Sequence, residues 1–500
     1  MAQAGMLDLS FDGDGMVTLS PLGDDTQIQA MAMQSDGKIV SAGLTLIYTP
    51  PNTHTYFALA RLHPDGAVDT SFNGGQFYSQ FDRGYDRAWG VKVQPDGKIL
   101  VGGEIQTQNG YRDYGLARYN LNGMLDSTFG TQGWVVTDIV NFDDLPFGMA
   151  LESNGNIVLG GMSTFGNNVF HASFTRYLSN GMPDPSFGTN GVSTITSLPQ
   201  YHEMKAIAVL SDGRIVAAGT QFFQSTRDLA VMRLLANGDL DTTFSGDGIN
   251  SLHFNNTNFN YFNCLLLQPD GKTVVAGSGS VNQTNTLLVG RLQANGDWDS
   301  TFGVNGIAAF PAIPTAAYGI GLQAYGKILV GGRGANAAPT TVHRLWPDGS
   351  LDSTYGVNGT GSCTLPAGTN QVRAALMQPD GKMLVGGKAQ TKMSLARFLG
   401  DPLVAVAPAL PSTPSFSLYP NPVIRASNSN IAVIFDQSVD GVVTFELLDL
   451  QGRIWQQEQV ESKAGRSTHS LRLPAELGSG FYFFRMSANG ERAVQKLVLY

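Results

Sequence analysis

The sequence is short of what most catalytic and nucleic-acid-binding chains use. Two of its 500 residues are cysteine, Cys264 and Cys363; they form neither a disulfide framework nor a metal-ligand spacing, and both are expected as small buried side chains. Charged residues make up 14%, with 31 Lys+Arg against 40 Asp+Glu and a formal net charge of −9. That balance argues against nucleic acid, which needs a basic stripe, and against an anionic membrane surface. No apolar run approaches the roughly eighteen residues that span a bilayer, so no membrane span is expected. Long helical periodicity is hard to find. The opening MAQAGMLDLS lacks the basic and apolar regions of a secretory signal. This leaves an intracellular protein or a mature chain whose signal was removed and replaced by Met1.

Glycine is abundant, with 60 residues, in a chain that is 42% apolar. This composition suits a packed, turn-rich β protein, and the length requires a modular fold. Residues 94–103 read QPDGKILVGG and residues 378–387 read QPDGKMLVGG. The phrase recurs around Gly37, Gly97, Gly155, Gly213, Gly271, Gly326 and Gly381, at intervals of 60, 58, 58, 58, 55 and 55. A fixed period of this size marks a repeat architecture.

Each repeat reads as four short strands. An apolar run such as AIAVL leads into an Asp-Gly hairpin turn, and an alternating second strand (KILVGG, RIVAAG) follows. A third strand ends in Arg, as in LARY and VMRL; a polar turn and the phrase LDxSFG precede the fourth. Four antiparallel strands repeated seven times, with no helix to cover an open sheet, predict a seven-bladed β-propeller. A β-solenoid fits less well because its coils are shorter. The chain opens with a fourth strand at 15–19 and the seventh repeat stops at Phe398, so the N-terminal strand is expected to complete the last blade. Arg61, Arg118, Arg176, Arg233, Arg291 and Arg344 each precede by eight residues an Asp: Asp69, Asp126, Asp184, Asp241, Asp299 and Asp352. Closure would pair the remaining Arg397 with Asp8, giving one Arg–carboxylate pair per blade, bidentate where geometry allows.

The QPDGKIVVGG and LDxSFG phrases resemble the delta-60 repeat, a β-propeller family of largely unassigned function in bacterial surface and secreted proteins. The resemblance covers residues 7–398 and implies a scaffold rather than an activity. The expected domains are a propeller at 1–400, a Pro-rich linker at 401–415 (DPLVAVAPALPSTPS), and a small immunoglobulin-like β-sandwich at 416–500. In the last segment YPNP (Tyr419, Pro420, Asn421, Pro422), LLDLQGR (with Asp449, Gly452 and Arg453) and GFYFFRMSANGERAVQKLVLY (with Gly480, Tyr482 and Lys496) resemble the C-terminal sorting domain of type IX secretion substrates. That resemblance implies export in Bacteroidota, with the outer-membrane shuttle and sortase components as partners, and a secreted or outer-membrane-anchored protein. It favours the mature-chain explanation of the missing signal.

Strand direction puts the Asp-Gly turns and LDxSFG loops on one face and the two variable connections of each repeat on the other. Repeat proteins use such variable loops for binding. The variable face holds Tyr85, Asp82, Asp86, Tyr111, Arg112, Phe142, Asp143, Asp144, Tyr201, His202, Phe222 and Tyr261. Aromatic faces beside carboxylates and amides suit a glycan or protein ligand. A secreted binding or adhesion propeller is therefore expected. The alternative is a carbohydrate-active or other hydrolytic enzyme, in which the Asp82/Asp86 and Asp143/Asp144 loops converge at the channel mouth. No catalytic constellation is assigned: His202–Glu203 lacks a nucleophile motif, no histidine spacing suits a metal, and DGDG at 12–15 reads as a turn rather than a calcium loop. No cofactor is expected.

Overall fold

The computed structural model describes all residues except 1–2, 21, 82–83, 167–168, 198–200, 224–225, 255–259, 282–283, 312, 314, 335–338, 366–369, 402–415, 420–429, 438–439, 450–452, 464, 479, 489–490 and 500. The chain divides into two compact units, Met1–Pro402 and Leu403–Tyr500. The Pro-rich linker and Pro420–Pro422 lie outside the described residues.

The first unit contains seven antiparallel four-stranded sheets, here blades 1 to 7. Their innermost strands are Asp25–Met33, Arg87–Val93, Asp144–Leu151, Tyr201–Val209, Tyr261–Leu267, Thr315–Leu322 and Asn370–Met377. Each innermost strand packs against the next, and that of blade 7 packs against that of blade 1. The seven therefore surround a central channel. No hydrogen-bonded ladder joins one blade to another among the described residues; apolar side chains do so instead, as where Val40, Phe57 and Leu59 of blade 1 pack with Ala88, Ile99 and Val101 of blade 2. The last blade is composite. Met16, Val17 and Thr18 pair with Ala396, Leu395 and Ser394, so the N-terminal strand covers an edge that would otherwise expose unpaired amides and carbonyls.

The repeated phrase builds the first hairpin of each blade. In blade 2, Gln94 N donates to Lys98 O at 2.8 Å, Gly97 takes a φ of 84°, and Asp96 Oδ1 accepts the Lys98 amide at 3.1 Å. Blade 6 has Ala-Tyr-Gly at the corresponding place and makes a 3-10 turn, Ala324–Gly326, with Tyr325 at φ 61°.

The LDxSF phrase joins the blades. Arg61 Nε donates to Asp69 Oδ2 at 2.8 Å, and the corresponding pairs in blades 2 to 6 span 2.7–2.8 Å. Arg397 reaches Asp8 across the closure at 2.7 Å. The contact is not the bidentate fork. The other carboxylate oxygen is taken by the Ser or Thr two residues on, as with Ser71 Oγ and Asp69 Oδ1 at 2.6 Å. The remaining guanidinium nitrogens are used elsewhere: Arg61 Nη1 donates to Leu121 O of the next blade at 2.7 Å, and Arg397 Nη1 to Pro64 O of blade 1 at 2.5 Å. Each guanidinium lies over the phrase's aromatic ring, at 4.4 Å for Arg61 over Phe72 and 4.5 Å for Arg397 over Phe11. The lysine of the Asp-Gly phrase completes the cluster in most blades, as Lys98 Nζ does at 2.8 Å from Asp126. The two repeated phrases are thus two halves of one buried network.

The second unit is a β-sandwich. A three-stranded sheet (Phe416–Tyr419, Asn430–Gln437, Gly465–Arg472) faces a four-stranded one (Gly441–Leu448, Ile454–Ser462, Gly480–Ala488, Glu491–Leu499). Phe435, Phe445, Leu447, Phe484, Met486 and Leu497 fill its core.

A candidate binding site in the propeller channel

The innermost strand of every blade carries a β-bulge. The pairing register skips one residue between Ile28 and Ala30, Ala88 and Gly90, Pro146 and Gly148, Met204 and Ala206, Phe262 and Cys264, Ala317 and Gly319, and Val372 and Ala374. The skipped residues are Gln29, Trp89, Phe147, Lys205, Asn263, Tyr318 and Arg373. All seven are half-buried and line one central cavity of about 340 Å³. A bulge adds a residue without a cross-strand partner and re-aims its side chain. Used seven times around a ring, it produces a collar of seven side chains.

The collar depends on the repeated phrase. The last glycine of KILVGG lies opposite the bulge, where a Cβ on Gly103 would come within 2.0 Å of the Arg87 carbonyl oxygen. The same holds at Gly43, Gly161, Gly219, Gly277 and Gly387, at 1.7–2.0 Å from the corresponding carbonyl. Any side chain there would displace the bulge, so an unvarying glycine permits a varying residue across from it.

The collar is aromatic and cationic. Trp89 and Phe147 meet edge to face at 5.5 Å. Lys205 Nζ sits 5.5 Å from the Phe147 ring and 5.9 Å from that of Tyr261, and Arg373 lies 5.5 Å from the Tyr318 ring. Arg373 Nε is buried without a hydrogen-bond partner. Lys92 also lines the cavity, and burial pushes its ammonium below the usual lysine range. Among the described residues no carboxylate lines this cavity, although the chain as a whole is acidic. Nearby, Glu203 pairs with Lys205 at 3.2 Å, while Glu104 is buried between Arg112 at 3.4 Å and Arg87 at 3.6 Å. On the other face a wider depression of about 1250 Å³ is rimmed by repeating turn residues such as Ser35, Pro95, Ser153 and Ser211. It offers much the same groups from blade to blade.

The residues singled out from the sequence fall into separate groups around the variable face. Tyr85 is exposed and lies 6.3 Å from His54; Asp82 lies outside the described residues. Tyr111 and Phe142 are exposed and meet at 5.4 Å, next to Arg112, which holds Asp143 at 2.5 Å. Against burial, Arg112 keeps the Asp143 carboxyl below its usual range. Tyr201 packs on Phe170 at 5.2 Å, and Phe222 contacts the same ring at 5.0 Å. Of the eleven that are described, Tyr261 is the one whose ring faces a collar residue, Lys205.

Asp86, Asp144 and His202 do not stand on the open surface of the variable face. All three are fully buried and occupy equivalent positions two residues before the bulge pair, where Thr26 and Asn260 stand in blades 1 and 5. Asp86 accepts amides from Phe81 and Gln106, and Asp144 Oδ2 accepts those of Ile139 and Val140. Asp86 and Asp144 thereby hold the inter-blade loop from a buried position. DGDG is a turn, with Asp12 at φ 53° and Asp14 Oδ1 accepting the Met16 amide at 2.8 Å. Cys264 and Cys363 are buried, and burial pushes both thiols up to about 12.

The collar was legible as a column. Each of its members stands eight residues before the motif glycine, from Gln29 and Gly37 to Arg373 and Gly381. Gln, Trp, Phe, Lys, Asn, Tyr and Arg at one place, between apolar neighbours, are a chemically variable position inside an otherwise apolar stretch.

Comparisons with known proteins agree with this construction. Residues 34–72, 94–129, 152–187, 210–244, 268–302 and 323–355 match a domain of unknown function, DUF5122, described as a β-propeller. Each matched segment runs from the first hairpin to the aromatic residue of LDxSF; the seventh repeat is divided between the two ends of the chain. Residues 417–500 match the secretion system C-terminal sorting domain. The chain is thus a propeller of DUF5122 repeats carrying a type IX sorting domain, which directs export to the cell surface or extracellular space through the type IX secretion machinery. No curated protein matches the chain. Similar solved structures include PorZ, a surface component of the type IX secretion system of Porphyromonas gingivalis (11% identity, 97% of this chain and 73% of that one, TM-score 0.29). They also include a PL25 ulvan lyase (10%, 77% and 96%, 0.43) and an aldose sugar dehydrogenase from Streptomyces coelicolor (11%, 77% and 97%, 0.35). At these scores the likenesses carry no argument about activity.

In the sorting domain Asp449 closes a hairpin, accepting the Arg453 amide at 2.9 Å and the Trp455 indole at 3.1 Å, and Arg453 covers the Trp455 ring at 4.9 Å. Tyr482 is buried and donates to Gly478 O at 3.0 Å. Gly480 and Lys496 lie on neighbouring strands, and Tyr419 ends the first strand. Gly452 lies outside the described residues.

Proposed function

We propose that this protein is an exported, non-catalytic binding propeller that holds an acidic glycan in its central channel. The collar supports this reading: three aromatic faces, two amides and two cations converge on one cavity that, among the described residues, no carboxylate lines. Aromatic rings supply apolar area for the faces of sugar rings, and amides meet hydroxyls. Lys205 and Arg373 suit uronate or sulfate groups, Arg373 through a planar donor fork. The sorting domain would engage the outer-membrane shuttle and sortase, placing the channel outside the cell.

A glycan array probed with the full chain tests the reading. Retention of uronate or sulfated oligosaccharides, with neutral counterparts of the same backbone left unbound, is the expected result. A preference for neutral glycans would overturn it, as would release of shortened products, which would make the protein an enzyme.

A further inference from the structure

One junction between blades differs from the others. Asp113 lies five residues before the repeat arginine Arg118, Asp138 lies twenty after it, and Asp144 begins blade 3. Each offers a carboxylate oxygen, and these oxygens all lie within 4.8 Å of one another. At the next two junctions the same places hold His171, Thr196 and His202, then Asp228, His253 and Asn260. In the second of these an Asp–His contact at 2.6 Å replaces the acidic trio.

The trio is incompletely satisfied. Asp113 and Asp144 are 2% and 0% exposed. Asp113 Oδ2 accepts the Thr107 hydroxyl at 2.7 Å, and Asp144 Oδ2 accepts two backbone amides, but Oδ1 of each is buried with no hydrogen-bond partner. A buried carboxylate oxygen without a donor is costly, and three carboxylates together repel. Arg112, next in sequence to Asp113, is committed to Asp143 and Glu104. Burial, with the neighbouring Asp138 and Asp143 charges, raises Asp113 to about 6; burial and the Asp113 charge raise Asp144 to about 7. Among the described residues no cation pairs with Asp113, Asp138 or Asp144.

We propose that Asp113, Asp138 and Asp144 bind one Ca²⁺ ion that ties blade 2 to blade 3. The donors are all hard oxygens, and opposed ligands of Ca²⁺ stand about 5 Å apart, which accommodates the observed spacing. Asp138 is exposed, so water completes the coordination and the ion has an entry path.

Calorimetric titration of CaCl₂ into the EDTA-treated full chain at pH 7.5 tests this. Expected is one ion per chain with Kd on the order of 10⁻⁵ to 10⁻³ M and a calcium-dependent rise in melting temperature. Asp138→Asn, at an exposed position that should not impair folding, is expected to weaken binding at least about tenfold, whereas Asp228→Asn at the other junction leaves it unchanged. MgCl₂ is expected to bind at least about tenfold more weakly. Absence of both heat and a melting shift would overturn the site. Undiminished binding by Asp138→Asn would do the same, and equal affinity for Mg²⁺ would overturn the assignment to calcium.

Discussion

Asp8 and Arg397 show what a single side chain does for this ring. Burial raises the Asp8 carboxyl, but the Ser10 hydroxyl, Lys382 and Arg397 outweigh it and hold it down at about 2. A carboxylate whose folded pKa is lowered adds stability that is complete above its unfolded value of about 4 and is lost as pH falls towards 2. Removing one partner strands the other in a buried site. Arg397→Ala is expected to cost about 3–5 kcal/mol in urea unfolding at pH 7, with the penalty shrinking as pH falls below about 4. A penalty independent of pH would mean that Arg397 acts through packing on Phe11 alone. The Arg–Asp spacing of eight made these pairs readable from sequence, including the pair across the closure. The one-oxygen geometry was not readable, because the Ser or Thr two residues on and the carbonyl of the next blade compete for the same atoms.

At the scale of the strand, the bulge and its opposing glycine are one device. The hairpin turn, the alternating second strand and the closing N-terminal strand could be derived from Asp-Gly turns and period-two patterning, since those are local signals. The bulge has no such local signal: its residues look like the rest of an apolar strand, and only stacking all seven repeats exposes the variable column. Variation is obvious in the loops, yet Asp86, Asp144 and His202 are buried, and the two carboxylates accept loop amides. Gly103→Ala forces a Cβ against the Arg87 carbonyl and is expected to cost about 3 kcal/mol while altering Trp89 fluorescence. Wild-type stability with unchanged emission would show that the bulge does not need the glycine.

At the scale of the molecule, seven blades supply a rigid frame in which one position per blade can vary freely, and the sorting domain sends that frame outside the cell. The sequence carried the frame in repeated phrases and the destination in the C-terminal motifs. The channel chemistry arises only when residues up to 344 positions apart, Gln29 and Arg373, are brought into one ring. Whether binding belongs to that ring or to the aromatic loops is the central question, and one affinity comparison separates them. An acidic oligosaccharide retained on the array would be titrated against the wild type, Lys205→Ala/Arg373→Ala and Tyr111→Ala/Phe142→Ala. Loss of two charge-assisted contacts is expected to weaken binding by about a hundredfold or more in the collar variant, with less than about a threefold change in the loop variant. Full affinity in the collar variant, with loss in the loop variant, would contradict the channel as the binding site.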